Sequence, residues 1–380
     1  MIIELHILQS FAPSNLNRDD TGAPKDCDFG GVRRARISSQ SLKRAMRRVF
    51  AKDDLVPAAL RATRTKRVIV RIADSLVASG RTREDADALG AAVLAAGGIK
   101  STDGEVGALM FIGRDEVDAL ADLALANAEQ LLAAPAPEAV ADKPRGRKGA
   151  SGLPDLKGPV TAALAKSRSV DVALFGRMIA ELPAGNVDAS AQVAHAISTH
   201  RVEIDFDYYT AMDELATPEE TGAAMVDTVE FNAATYYRYA IVDVSSLGER
   251  LVDADRVRLA LDAFLRAAII AEPTGKQNSF AAHNPPSYVL VVVREAGAWS
   301  LANAFLRPVR ASGEGDLVDR SIEALEVYWG RLGRMYGNRG LRFAGSAADR
   351  ELEASGAIER ADDVDALVAQ VVDMAARGAA

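Results

Sequence analysis

Cysteine is nearly missing from this 380-residue sequence: Cys27 stands alone. An intrachain disulfide is therefore impossible, and the chain suits a reducing compartment such as the cytoplasm. Histidine is scarce as well, at four scattered positions. That leaves no metal-ligand spacing to read, and no metal or other cofactor is expected. Long apolar runs are missing too. The purest, Tyr288–Val293, falls far short of the roughly 20 residues that cross a bilayer, so no membrane partner is expected. Met1–His6 carries no basic segment and places Glu4 and His6 early, so no secretory signal is expected either. Positive charge is in deficit, with 45 Lys and Arg against 53 Asp and Glu and a net charge of −8. A dedicated nucleic-acid binder is ordinarily basic, so any such surface here has to be local.

What is present is ordinary in bulk and unusual in one place. Apolar residues make up 49% and charged residues 26%, which allows a substantial core. The length predicts two or three structural units. The unusual place is Arg33–Arg48. It holds Arg33, Arg34, Arg36, Lys43, Arg44, Arg47 and Arg48 and no acidic residue. With −8 overall and +7 in this window, the rest of the chain stands at −15.

The second half of the window predicts a helix. Ser38, Ser39 and Ser41 offer capping hydroxyls, and Leu42, Ala45, Met46 and Val49 recur at i, i+3, i+4 and i+7 as one apolar stripe. Gly30 and Gly31 precede it, where the backbone can take positive φ or approach a ligand closely. Arg33 and Arg36 then arrive ahead of a helix N-terminus, itself an anion site. This combination suits phosphate oxygens, although a basic helix face is equally consistent with simple solvation.

Elsewhere the chain reads as a mixture of strands and helices. Ile2–Leu8 alternates and predicts a first strand with one more buried face, in which His6 is a satisfied sheet residue. Ser10–Asp28 reads as a long polar loop, of the kind that usually serves function; its aspartates would orient nearby bases. Arg64–Ala78, Asp85–Ala96 and Asp115–Ala133 read as helices. Ala134–Pro159 reads as a flexible loop whose Lys143, Arg145, Arg147 and Lys148 would either touch duplex DNA or form a solvated linker. His200–Asp207 and Thr228–Ala240 alternate around a polar segment and predict a β-hairpin arm. Its Tyr208 and Tyr209 could stack on bases without sequence preference. Leu251–Ala271 predicts an amphipathic helix. Thr274–Ser279 predicts a polar glycine loop in which Lys276 and Gln277 could reach a phosphate or sugar. Tyr288–Val293 predicts a buried strand, Ser321–Tyr336 a helix, and the acidic tail a closing helix.

Several motifs carry a family resemblance. LNRDD (Leu16–Asp20), KDCDFGG (Lys25–Gly31) and RARISSQSLKRAMR (Arg34–Arg47) closely resemble the N-terminus of the CasC family, the RNA-binding backbone subunit of the type I-E CRISPR Cascade complex in the RAMP superfamily. FGRM (Phe175–Met178), AHAISTH (Ala194–His200), DYYT (Asp207–Thr210), YYRYA (Tyr236–Ala240), GKQ (Gly275–Gln277) and Asn284–Pro285 follow in the family's order. The resemblance covers most of the chain, with gaps at about 80–160 and after 340.

The resemblance implies an α+β fold: a ferredoxin-like, RRM-like palm (1–55, 169–200 and 236–380), a helical fingers insertion (56–168) and a β-hairpin thumb (201–235). It implies a non-catalytic antiviral-defence subunit that polymerises head to tail along a CRISPR RNA and leaves target choice to base pairing. The partners implied are that RNA, further copies of the chain, target DNA through the guide, and the large, small, five-prime-handle-binding and RNA-processing subunits. RNA contacts would come from Arg18, Lys25, Arg33, Arg36, Ser39, Gln40, Lys43, Arg44, Arg47, Lys276 and Gln277. Met178 would sit against a displaced nucleotide, and Tyr208, Tyr209 and Thr210 on the thumb would pack on the kink. Relatives often carry Trp-Phe where this chain has Tyr208-Tyr209. The rival expectation is a RAMP-type ribonuclease using His6, Asp19, Asp20 or Asp26, although no catalytic pair stands out in the sequence.

Overall fold

The computed structural model describes residues 1–134, 152–165, 167–211, 225–311, 315–352 and 358–378. They fall into two compact units. The first comprises Met1–Asp53, Ala191–Val244 and Leu261–Ala380; the second comprises Asp54–Ser190 and Ser245–Ala260.

The first unit is built on strands. Its strands are β1 (Ile2–Ser14), β2 (Asp26–Phe29), β3 (Val32–Ile37), β4 (Ala191–Val193), β5 (Ala196–Ser198), β6 (Asp205–Ala211), β7 (Met225–Asp243), β8 (Tyr288–Arg294), β9 (Leu341–Ala348) and β10 (Glu359–Arg360). Its longer helices are α1 (Ser39–Lys52), α2 (Ala254–Ile270, of which Leu261–Ile270 lies in this unit), α3 (Leu317–Tyr336) and α4 (Val364–Gly378). All ten strands join one sheet in the order β10-β9-β8-β1-β7-β5-β3-β2, with β4 and β6 also paired to β7.

The centre of the sheet is antiparallel: β8 and β7 flank β1, and β4 and β5 pair with β7. Taken with α1 after β1 and α2 after β7, this is the split β-α-β arrangement of a ferredoxin-like α+β fold. Strand alternation sorts the helices. Ile7, Arg238 and Ala240 face Leu42 and Met46 of α1 and Ala268 of α2. The residues next to them, Leu8 and Tyr237, cluster instead with Val318, Ile322, Leu325 and Trp329 of α3. Adjacent strand residues point to opposite faces, so α1 and α2 cover one face and α3 covers the other.

That double cover changes the reading of β1. Both faces are buried, and Glu4 and His6 are fully enclosed rather than solvent-facing. Glu4 is satisfied: it accepts from Arg294 Nε (2.8 Å), Tyr239 OH (2.9 Å) and the Trp299 amide (2.6 Å). Burial still raises its pKa above the usual carboxylate range. His6 Nδ1 meets Tyr237 OH at 2.9 Å, its Nε2 has no partner, and burial with the Arg294 charge pushes its pKa down to about 3. Arg238, also buried, donates to the carbonyls of Ala268 (2.6 Å), Ile269 (3.2 Å) and Ala271 (3.3 Å). It thereby caps the C-terminal carbonyls of α2 with a cation.

Other boundaries move as well. Ser10–Asp28 is not one loop: β1 runs on to Ser14 through a register shift after Phe11, and Asp26–Phe29 pairs with β3. Arg33–Arg36 is a strand, with Gly30 and Gly31 (φ 63° and 76°) making the tight turn before it. A Cβ on Gly30 would lie 2.0 Å from the Leu306 carbonyl oxygen, so both φ and space require glycine there. Within α1, Phe50 rather than Val49 completes the buried stripe of Leu42, Ala45 and Met46.

The second unit is helical. Val68–Ala78, Arg83–Ala96, Arg114–Ala126 and Lys157–Ala165 bury Ile72, Leu76, Leu89, Val93, Leu120, Val160 and Leu164 in one core. The first of these helices begins at Val68, because Thr63–Thr65 pairs as a strand with Met110–Ile112. Arg177 and Glu116 form a fully buried ion pair in this unit. Arg177 also donates to the carbonyls of Phe111 (3.1 Å), Leu164 (2.6 Å) and Gly185 (3.0 Å), joining four chain segments at one guanidinium.

Candidate nucleic-acid interface

The first unit carries a groove of about 640 Å³. One wall is α1, presenting Ser41, Arg44, Ala45 and Arg48; another is Leu16–Gly22; the third is Pro273–Lys276. Each wall is held by specific contacts. Ser38 caps α1, its Oγ accepting from the Ser41 amide (3.3 Å), and its own amide donates to Asn17 Oδ1 (2.8 Å). The loop is therefore pinned to the start of the helix. Asp19 Oδ1 accepts from the Thr21 amide (2.9 Å), Thr21 Oγ1 (2.8 Å) and the Ala23 amide (3.0 Å). Hydrogen bonding led by Thr21 holds the Asp19 carboxyl below its usual range. This closes a tight turn and leaves Arg18 exposed beside it.

The third wall depends on a glycine. A Cβ on Gly275 would stand 2.3 Å from the Leu16 carbonyl oxygen, so a larger residue would push the loop off the first wall. Lys276 follows in the left-handed region (φ 50°), and Arg48 reaches across to donate to Thr274 Oγ1 at 3.3 Å. Arg18, Arg44, Arg48 and Lys276 thus share one groove with Asp19 and Asp20. Guanidinium and ammonium groups along a channel suit a phosphate backbone. The two carboxylates oppose indiscriminate anion binding.

The expected binding residues divide among several places. Arg18, Arg44 and Lys276 line the groove. Lys43 and Arg47 lie half-buried on another flank of α1, and burial lowers the Lys43 pKa. Ser39 is half-buried and Gln40 exposed at the helix start. Gln277 turns inward, donating to the carbonyls of Pro273 (3.3 Å) and Ala282 (3.1 Å), and shapes the loop.

Arg33 and Arg36 belong to a second cluster on the β2–β3 hairpin. Arg33 pairs with Asp26 at 2.6 Å. Arg36 donates from Nε to the Asp26 carbonyl and from Nη1 to His195 Nδ1, both at 3.0 Å. Burial and the charges of Arg36 and Lys25 lower the His195 pKa, so its ring is the neutral acceptor. Lys25 is half-buried, and its backbone links this hairpin to the loop, with its amide on Asn17 O (2.8 Å) and its carbonyl accepting from Arg36 N (2.9 Å).

Arg34 does not contribute its charge to any surface. It is fully buried and donates to the carbonyls of Phe29 (3.2 Å), Ser198 (3.2 Å) and Phe305 (2.6 Å).

The thumb residues lie on a two-stranded ribbon of β6 and the start of β7, where Tyr208 pairs with Thr228 and Tyr209 with Asp227. Tyr208 and Tyr209 are adjacent and so face opposite sides. Tyr209 OH donates to Asp227 Oδ2 at 3.2 Å. Tyr208 shares its side with Phe206 and Thr210, and Phe206 and Tyr208 are 68% and 66% exposed. Met178, in the second unit, is 77% exposed beside Leu109 and Ile179. Lys143, Arg145, Arg147 and Lys148 lie outside the described residues.

Sequence reasoning left Arg48, His195 and Phe206 off its set of binding residues. Arg48 repeats Arg44 at i+4 and Phe206 precedes Tyr208 by two on the same strand face, so periodicity held the signal for both; His195 lies in the AHAISTH motif, with no charge or spacing to mark it as a contact. Among the described residues, no group of three or more His, Cys, Asp or Glu could hold a metal ion, and no helix is long and apolar enough to cross a membrane.

Comparison with known proteins follows the same lines. A family model described as "CT1975-like protein" matches residues 3–371. A solved chain titled "CRISPR RNA-guided surveillance complex, pre-nicking" matches at 33% identity and TM-score 0.82, covering 99% of this chain and 100% of that one. A second, titled "CRISPR RNA-guided surveillance complex", matches at 29% identity and TM-score 0.71, covering 98% and 100%. No curated protein matches. With a match running nearly end to end and a shared α+β architecture, the chain belongs to the CT1975-like family.

Proposed function

We propose that this chain is a non-catalytic backbone subunit of a CRISPR RNA-guided surveillance complex of type I-E, which binds the guide along its groove and assembles head to tail on it. The observation that carries this reading is the groove. Arg18, Arg44, Arg48 and Lys276 come from three separate stretches of sequence onto one channel in an otherwise acidic protein. Phosphate contacts hold a strand without reading its sequence, as a subunit serving every guide requires. The titles of the similar structures name an RNA-guided complex, and coverage is nearly complete on both sides.

In this reading the ribbon carrying Phe206, Tyr208 and Tyr209 displaces one nucleotide at intervals of on the order of six, within known single-strand site sizes. Met178 packs against a displaced base. The bases in between are left ordered for pairing, so that target choice lies with the guide. The partners are the guide RNA, further copies of the chain, the other subunits of the complex, and target DNA through the guide. The setting is cytoplasmic.

The test is co-purification from cells expressing a CRISPR array, followed by sequencing of the bound RNA. Guides of uniform length are expected with the native chain and are lost with Arg18→Ala/Arg44→Ala. A folded protein that joins its partner subunits without RNA refutes the reading. Progressive shortening of added RNA by the purified chain would establish a ribonuclease instead.

A further inference from the structure

The Arg33–Arg48 window is not the only acid-free basic stretch. Val327–Ala348 holds Arg331, Arg334, Arg339 and Arg342 and no Asp or Glu. It spans the end of α3, the turn after it, and β9. Arginines on either side are engaged by carboxylates: Arg320 by Glu323 (2.9 Å), Arg350 by Asp316, Asp319 and Asp349, and Arg360 by Glu326 (2.9 Å). Arg342 pairs with Glu295. Arg331, Arg334 and Arg339 are exposed, and among the described residues none of them meets a carboxylate.

Exposed apolar groups accompany the three charges. Met335 is 74% exposed and Tyr336 62%. Tyr336 is not loose: its ring lies 5.6 Å from that of Trp299, which supports it from below. The Arg331 guanidinium stands 6.0 Å from the Tyr328 ring centroid. Arg334 lies back along the helix, its Nη1 3.6 Å from where a Cβ on Gly330 would be. Arg331, Arg334 and Met335, at i, i+3 and i+4, share one helix face. Gly330, Gly333, Gly337 and Gly340 are interleaved with the arginines and keep the surface low enough for a flat ring to approach. Favourable interaction with the helix C-terminus could account for Arg331 or Arg334, but Arg339 lies beyond the helix.

We propose that this face of α3 is a second binding surface for single-stranded nucleic acid, on the opposite side of the sheet from the groove. Unpaired guanidiniums would take backbone phosphates, and Tyr336 would offer a supported ring for base stacking. Neither group reads the sugar or the base identity, so DNA and RNA single strands would bind alike. The surface is separate from the groove and does not depend on the function proposed for it.

The experiment measures binding of labelled oligo(dT) and oligo(U) to the full chain across a salt series. It uses an Arg18→Ala/Arg44→Ala background, so that groove binding is disabled. Oligonucleotide binding is expected to persist there. Adding Arg331→Gln/Arg334→Gln/Arg339→Gln should lower the slope of log K against log salt by about 2. Adding Tyr336→Leu should weaken binding at least fivefold, given about 1–3 kcal/mol per stacked base. All six side chains are exposed, so thermal melts of each variant serve as the folding control. The proposal is overturned if the groove variant alone abolishes binding, or if the triple arginine variant binds like its parent. It is equally overturned if the triple variant changes only self-association, which would make this face a protein interface.

Discussion

Arg34 and Arg44 lie in the same acid-free window, yet the structure gives them unrelated work, and replacing each by alanine should separate the two. Arg34→Ala strands the carbonyls of Ser198 and Phe305 in a buried site and that of Phe29 in a half-buried one. A buried acceptor left unpaired costs about 1–3 kcal/mol. Loss of the guanidinium also removes its own desolvation cost, so the lower end applies, about 3 kcal/mol for the three carbonyls together. For a unit of this size, melting shifts by about 2–4 °C per kcal/mol, so the first unit should melt about 6–12 °C lower. Arg44→Ala removes an exposed side chain and should stay within about 0.5 kcal/mol of the native protein. It should instead lower the salt slope of RNA binding by about 0.7. Differential scanning calorimetry gives the first quantity and titrations across a salt series the second. If Arg34→Ala melts normally and only weakens RNA binding, or if Arg44→Ala unfolds the protein, the two arginines do not divide the work between fold and groove.

Two further outcomes follow from buried charge. His6 has a folded pKa of about 3 against an ordinary 6.5. Below pH 6.5 the unfolded chain takes up a proton that the fold excludes, so its contribution is complete above 6.5 and falls by up to about 1.4 kcal/mol per pH unit as pH drops toward 3. His6→Phe should flatten that limb of the stability profile; Glu4 and His200 act equally in both proteins and cancel in the difference, and an unchanged slope would contradict the assignment. In the second unit, Arg177→Met leaves Glu116 buried without its cation and should cost about 3–5 kcal/mol. Proteolysis should then open residues 54–190 first, and a variant as resistant as the native chain would count against the clamp.

Local pattern carried much of this architecture. The α1 stripe, its Ser38 cap and the buried strand at Tyr288 are written in spacings of two to four residues, and all three stand in the structure. What local pattern could not show is what covers a strand. Glu4 and His6 alternate with Ile3, Leu5 and Ile7 as solvent-facing residues would. Their enclosure depends on α3, about 300 residues further along the sequence, closing the second face of the sheet. The same limit applies to charge. Counting bases cannot distinguish Arg34, which bolts three backbone segments together, from Arg44, which faces the groove. Strand register and tertiary carbonyls decide that. Lys276 and Arg18 join the groove from distant segments of the first unit, and only sheet topology brings them to α1.

The groove is therefore less positive than its sequence window. Of the seven bases between Arg33 and Arg48, Arg34 is internal, Arg33 is neutralised by Asp26, and Arg36 is occupied by His195 and a carbonyl. The channel itself sets four cations against Asp19 and Asp20. Four phosphate contacts on a single strand give a salt slope of about 3 at most, so one copy alone should hold RNA weakly near physiological salt. Under the proposed function, retention must then come from repetition. Each further copy engages a strand already held by its neighbours, and the second contact is effectively intramolecular. A weak, partly self-neutralised groove resists stray RNA as a monomer and becomes tenacious only when many copies share one guide. The two carboxylates are thus consistent with the function, because they keep the single-copy affinity low.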